Sequence, residues 1–142
     1  MFLYFVLLLR HFFICNMKSI LITGANRGIG LGIVNYLASS SELKPDYIFA
    51  GYRKPEESKE LLELGQSKKN VIPVRLDITN DESIKDAKFE VEGKLSGKGL
   101  NMLINNAGVA KKLNINTINE NDMLETYRNN VIGPWKVTKV NY

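Results

Sequence analysis

From Lys18 onward, short apolar runs alternate with longer stretches in which apolar residues recur every three or four positions. Short unbroken runs suit strands buried on both faces, and the longer stretches suit helices that cover them. The pattern predicts a βαβα chain, with a parallel sheet between two layers of helix. The first strand is predicted over residues 18–23 and the first helix over 28–39, with Ile29, Ile33 and Leu37 as its buried stripe. Gly32 weakens that helix slightly, and Ser39-Ser40-Ser41 ends it. The second strand spans 47–51. Pro55 then stands in the first turn of a second helix, where its missing N–H costs nothing, and Glu56 and Glu57 suit the positive end of the helix dipole. Leu61, Leu62 and Leu64 form that helix's buried face, with Gly65 as its stop.

The third strand covers 71–76. Thr79 and Glu82 have the spacing of a capping box that opens a third helix, whose stripe is Ile84, Ala87, Val91 and Leu95 and which Gly97 and Gly99 close. A fourth strand over 101–105 leads into a polar loop, 111–119, and a last helix from Glu120 that Gly133-Pro134 should bend or loosen. Right-handed crossovers arrange such strands 3-2-1-4, a Rossmann-type doubly wound sheet whose later strands are not present here. The ligand crevice of that order lies between strands one and four, at their carboxyl ends.

Composition adds bounds. A chain of 142 residues is one domain with room for a core. Its charge of +4, from 19 basic and 15 acidic residues, is mild, and no aromatic-interleaved basic stripe points to nucleic acid. Cys15 is the one cysteine, which excludes an internal disulfide and fits a reducing, cytoplasmic setting. No metal site is predicted; His11, the one histidine, sits among phenylalanines.

Residues 1–16 are unlike the rest. An apolar run, 2–9, is broken by Arg10 and His11 and resumes over 12–15, short of a membrane span and without the flanks of a secretory signal. Three readings stay open: an extension upstream of a native start at Met17, a membrane tether, or a poorly formed signal. Membrane association is expected through this segment or not at all.

The chemistry concentrates in two motifs. TGANRGIG, residues 23–30, follows the first strand and opens the first helix. Gly24 permits a sharp exit from the strand, Gly28 lets backbone approach a pyrophosphate, and Gly30 lets the helix pack closely on the sheet. Free N–H groups from Ala25 to Ile29, with Asn26 and Arg27 among them, then face the phosphates. No Gly-Lys-Ser/Thr follows, so this is not a Walker loop. The second strand ends in Gly51-Tyr52-Arg53 with no acid to receive ribose hydroxyls; Arg27 and Arg53 could both address a 2′-phosphate, which predicts NADP(H) over NAD(H). Asp77, followed by Ile78, can accept from an adenine amino group or merely cap its turn. Asn105, Asn106, Ala107 and Gly108 (NNAG) would steady the fourth strand's end and place small residues beside the nicotinamide ribose.

These motifs resemble the N-terminal part of the short-chain dehydrogenase/reductases over nearly all of residues 17–142. TGANRGIG matches the family's glycine motif, Asp77 its adenine-contacting acid and NNAG its strand-four motif. Asn130, in RNNVIG, matches the asparagine that helps hold a water in the family's proton relay. KSILITGANRGIGLGIV, Tyr52-Arg53 and the Gly-Leu-Asn before NNAG look most like the sniffer-like and C-factor-like carbonyl reductases. The resemblance implies an NADP(H)-dependent oxidoreductase acting on a small carbonyl or alcohol, in full-length form compatible with a homodimer. It also implies a catalytic serine and a Tyr-x-x-x-Lys downstream of Asn130. No tyrosine in this chain has lysine four positions on. The chain is therefore expected to be an N-terminal fragment or truncated product, inactive alone. The alternative is a non-enzymatic nucleotide-binding or signalling remnant. An uncovered fourth strand and an apolar face on the last helix (Val131, Trp135, Val137, Val140) are expected to make it marginally stable or prone to aggregate.

Overall fold

The computed structural model describes residues 18–111 and 114–141. Residues 1–16, the choice between Met1 and Met17 as start, and Tyr142 lie outside them. Four parallel strands form one sheet: β1 (Ser19–Ile22), β2 (Tyr47–Tyr52), β3 (Val71–Arg75) and β4 (Met102–Ile104). Their order is β3-β2-β1-β4, as the crossover rule predicts. In register, Ile20 stands beside Ile48 on one side and Met102 on the other. The helices are α1 (Gly28–Ser39), α2 (Lys59–Ser67), α3 (Asp81–Leu95), α4 (Glu120–Tyr127) and α5 (Gly133–Asn141).

Alternation along each strand sends side chains to opposite faces, and both faces are buried. Ile20, Ile22, Ile48 and Ala50 pack with Leu31, Val34 and Leu37 of α1 and Leu61 of α2. Leu21, Phe49 and Val74 pack on the other side with Ile84, Ala87, Val91 and Leu95 of α3 and Val137 of α5. Among the described residues, no helix is long and apolar enough to cross a membrane.

Several local expectations need correction. The buried stripe of α1 is Leu31, Val34 and Leu37, whereas Ile29 is 79% exposed. Apolar residues lie on more than one side of this helix, so periodicity alone could not select the face. Pro55 does not open α2; it begins a separate 3-10 turn, Pro55–Glu57, and α2 starts at Lys59. Gly65 does not end α2, which runs on to Ser67; a Cβ at Gly65 would lie 2.6 Å from Pro73 Cγ, so the glycine marks close packing on β3. Asn80, not Thr79, caps α3 by accepting from the Ser83 N–H, because Thr79 is committed to Asp77.

In the last helical stretch, Val137 is buried and Val140 packs against the core, while Val131 and Trp135 are exposed. The loosening expected near Gly133-Pro134 takes the form of a π-helical turn over Arg128–Ile132. There the Gly133 N–H donates to the Arg128 carbonyl, one residue further back than in an α-helix.

Candidate functional site

The loops that leave β1 and β4 are laced together. The Thr23 N–H donates to the Ile104 carbonyl (3.0 Å), then the Ala25 N–H donates to the Gly51 carbonyl (2.7 Å), carrying the chain from β4 toward β2. Thr23 Oγ1, buried, accepts from the N–H groups of Asn106 and Ala107, both at 3.0 Å. Asn106 Nδ2 donates in return to the carbonyls of Thr23 (3.0 Å) and Gly24 (2.9 Å). Gly24 turns with φ +62°, and a Cβ there would stand 2.8 Å from Ala107 Cα. A Cβ on Gly30 would collide with the Gly24 carbonyl and stand 2.5 Å from Asn106 Nδ2. Gly28 differs: its φ is +55°, and nothing lies within 4 Å of where its Cβ would be. It faces open space at the start of α1, whose N-cap, Arg27, accepts no bond through its side chain and whose first turn holds no acid. The first N–H groups of that helix are thus free for an anion.

The opposite wall is the turn after β2. Asn26 Nδ2 donates to the Glu57 carbonyl (3.0 Å), and the buried Ser58 donates through Oγ to the Lys54 carbonyl (2.6 Å). Lys54 Nζ lies 2.9 Å from Glu57 Oε1. The hydrogen bond and then the charge of Lys54 hold the Glu57 carboxyl below its usual range; partial burial opposes this, and Arg27 and Arg53 add to the lowering. The floor carries Leu76, Asp77 and Ile78. Asp77 Oδ1 accepts from the N–H (2.9 Å) and hydroxyl (2.7 Å) of Thr79. Asp77 therefore holds its turn and faces the cleft at once.

The result is a cleft of about 320 Å³ at the carboxyl ends of the strands. Of the residues expected at a coenzyme, Gly24, Asn26, Arg27, Gly28 and Ile29 line it from one loop. Arg53, Asp77, Ile78, Ala107 and Gly108 line it from the others. Gly30 and Asn105 stand outside the lining. Gly30 is buried in the packing of α1 on the loops, and Asn105 turns its amide to Thr138 Oγ1 (3.0 Å). Asn130 is also outside, with both ends of its amide on Val109: Oδ1 accepts from the N–H and Nδ2 donates to the carbonyl, each at 2.8 Å.

Sequence reasoning missed Lys54, Glu57 and Asn129 as lining residues. The spacing of Lys54 and Glu57 at i and i+3 was visible, but only the 3-10 turn aims both at the cleft.

The family model for short chain dehydrogenase matches residues 18–141. The chain belongs to the short chain dehydrogenase family. The chain is 37% identical over 126 residues to an uncharacterized oxidoreductase of Schizosaccharomyces pombe, an alignment covering 88% of the chain and 48% of that protein. It is 32% identical to a 3-amino-tetrahydro-pyrrolizinone reductase of Xenorhabdus hominickii, over 86% of the chain and 39% of that protein.

Among solved structures, the NADPH-bound carbonyl reductase from chicken fatty liver superposes with a TM-score of 0.84 at 41% identity, over 88% of the chain and 50% of the other. The carbonyl reductase Sniffer of Drosophila melanogaster superposes at 0.82 with 35% identity, over 88% and 50%. The resemblance to sniffer-like carbonyl reductases is thereby borne out. The chain spans about half the length of the first curated relatives it matches, at 48% of each.

Proposed function

We propose that the cleft holds NADP(H), and that residues 18–141 are the coenzyme-holding part of a reductase acting on a small carbonyl or alcohol. The observation that carries the reading is Gly28, a left-handed glycine with open space before it and unsatisfied helix N–H groups beside it. A pyrophosphate fits there, and a Cβ would intrude on it. Arg27 and Arg53 flank the same cleft and suit a ribose phosphate. The half-buried Asp77 suits an adenine amino group through the oxygen its turn does not use. Ala107 and Gly108 leave room for the nicotinamide ribose. NADPH-bound carbonyl reductase from chicken supports the choice of coenzyme by its similarity.

Bound there, the reduced nicotinamide would supply hydride to a carbonyl carbon. The chain's own residues orient and fix it. Asn106 and Thr23 lock the two loops, and Asn130 pins Val109, which lines the cleft, so that the loop after β4 keeps its distance. With no tyrosine followed by lysine four positions on, we propose that this chain binds coenzyme in the cytoplasm without completing turnover by itself.

Coenzyme titration by fluorescence tests the reading. NADPH should bind at least about tenfold more tightly than NADH, or ~1.4 kcal/mol, and Arg53→Ala should erase most of that difference. Equal dissociation constants for the two coenzymes in the unaltered chain would refute it.

A further inference from the structure

We propose that Glu57 is a specificity-determining residue of this cleft, an internal counter-charge that competes with the ribose phosphate of NADP(H) for Lys54. The inference rests on the coenzyme reading above and deepens it. The strand-two end of the sequence holds arginine and no acid, yet the fold brings a carboxylate to the same place. Glu57 lines the cleft with the three cations Arg27, Arg53 and Lys54; the other carboxylate of the lining, Asp77, is held by Thr79.

Glu57 is not there by accident of a loose loop. Ser58 is fully buried and holds the Lys54 carbonyl at 2.6 Å, while Asn26 reaches across from the glycine loop to the Glu57 carbonyl at 3.0 Å. Both anchors grip backbone, so the turn stays in place whatever side chain stands at position 57. On it, the Lys54 ammonium and the Glu57 carboxylate meet at 2.9 Å, with side chains 47% and 43% exposed. An entering phosphate therefore finds one of three cations already engaged, and a carboxylate beside it. The uncharged ribose hydroxyls of NAD(H) feel no such repulsion and can donate to the carboxylate. Glu57 thus narrows the preference that the cations create.

The test is Glu57→Gln in the 142-residue chain, with NADPH and NADH titrated side by side. The NADPH-to-NADH preference should widen by about fivefold or more, and the widening should shrink in high salt, where exposed charges are screened. Glu63→Gln is the control: it removes the same charge from α2, where Glu63 faces Lys59 at 3.9 Å outside the cleft, and should leave the preference unchanged. A Glu57→Gln preference within about twofold of the unaltered chain would overturn the proposal, and so would equal weakening of both coenzymes or an equal effect of Glu63→Gln. An unaltered chain that binds neither coenzyme removes the coenzyme reading and this inference together. An unaltered chain that prefers NADPH, beside an unresponsive Glu57→Gln, removes this inference alone.

Discussion

Thr23 sets one hydroxyl oxygen between two backbone N–H groups of the neighbouring loop. Replacement by valine keeps the shape and leaves both donors without their partner in a buried place. An unsatisfied buried donor costs about 1–3 kcal/mol, so Thr23→Val should destabilise by at least ~2 kcal/mol in urea unfolding. Thr23→Ser, which keeps the oxygen, should cost clearly less. At this scale the glycine motif was legible: TGANRGIG announced a turn at Gly24 and close packing at Gly30, and the backbone turns at the first, packs tightly at the second and meets open space at Gly28. Their mutual grip was not legible, because Thr23 and Asn106 are 83 residues apart in sequence. Nor was Glu57, since only a folded turn decides whether a charged side chain faces the cleft or solvent.

Among elements, the glycines of two helices look alike in sequence and behave oppositely. Gly93 lies within α3 with nothing within 4 Å of a Cβ, so Gly93→Ala should stabilise by about 0.5–1 kcal/mol through helix propensity. Gly65 lies within α2 against Pro73, and its alanine variant should instead destabilise by ~1–3 kcal/mol through overpacking. Chemical denaturation of the two variants reads out the opposite signs. Strands were the most legible elements, since an apolar run buried on both faces has no phase to mistake.

Helix α1 had a phase, and the pattern caught it only in part: Leu37 is buried and Ile33 packs against the core, whereas Ile29 is apolar for the cleft and not for the core. The start of α3 was shifted by one residue for a related reason. Thr79 had two uses open to it, and the Asp77 carboxylate took it from the helix. The cap of α4 resisted that competition: Asn119 and Asp122 form a full reciprocal box. Lys111 also engages Asp122 and Glu125, and its hydrogen bond holds the Asp122 carboxyl below its ordinary range.

The whole molecule exposes more apolar surface on α4 and its continuation than a helix facing water requires. Met123, Tyr127, Val131 and Trp135 recur at four-residue spacing and are all exposed. β4 pairs with β1 and, among the described residues, with no other strand. Dynamic light scattering should therefore show self-association rising with concentration for this chain, despite its charge of +4. A monodisperse monomer with a sharp thermal transition in the absence of coenzyme would contradict that. The order of the sheet was legible because right-handed connection leaves few alternatives.

The π-turn at Arg128–Ile132 inserts an extra residue into the winding, which sets the downstream helix back by about 100° relative to an unbroken α-helix. Asn130 sits on the inserted arc and Val137 lies beyond it. Excising a single residue from that arc would straighten the rod yet could not keep both appointments: either the amide swings off Val109 or the valine rolls out of the interior. The irregularity is the joint that lets one rod serve two partners set at different angles.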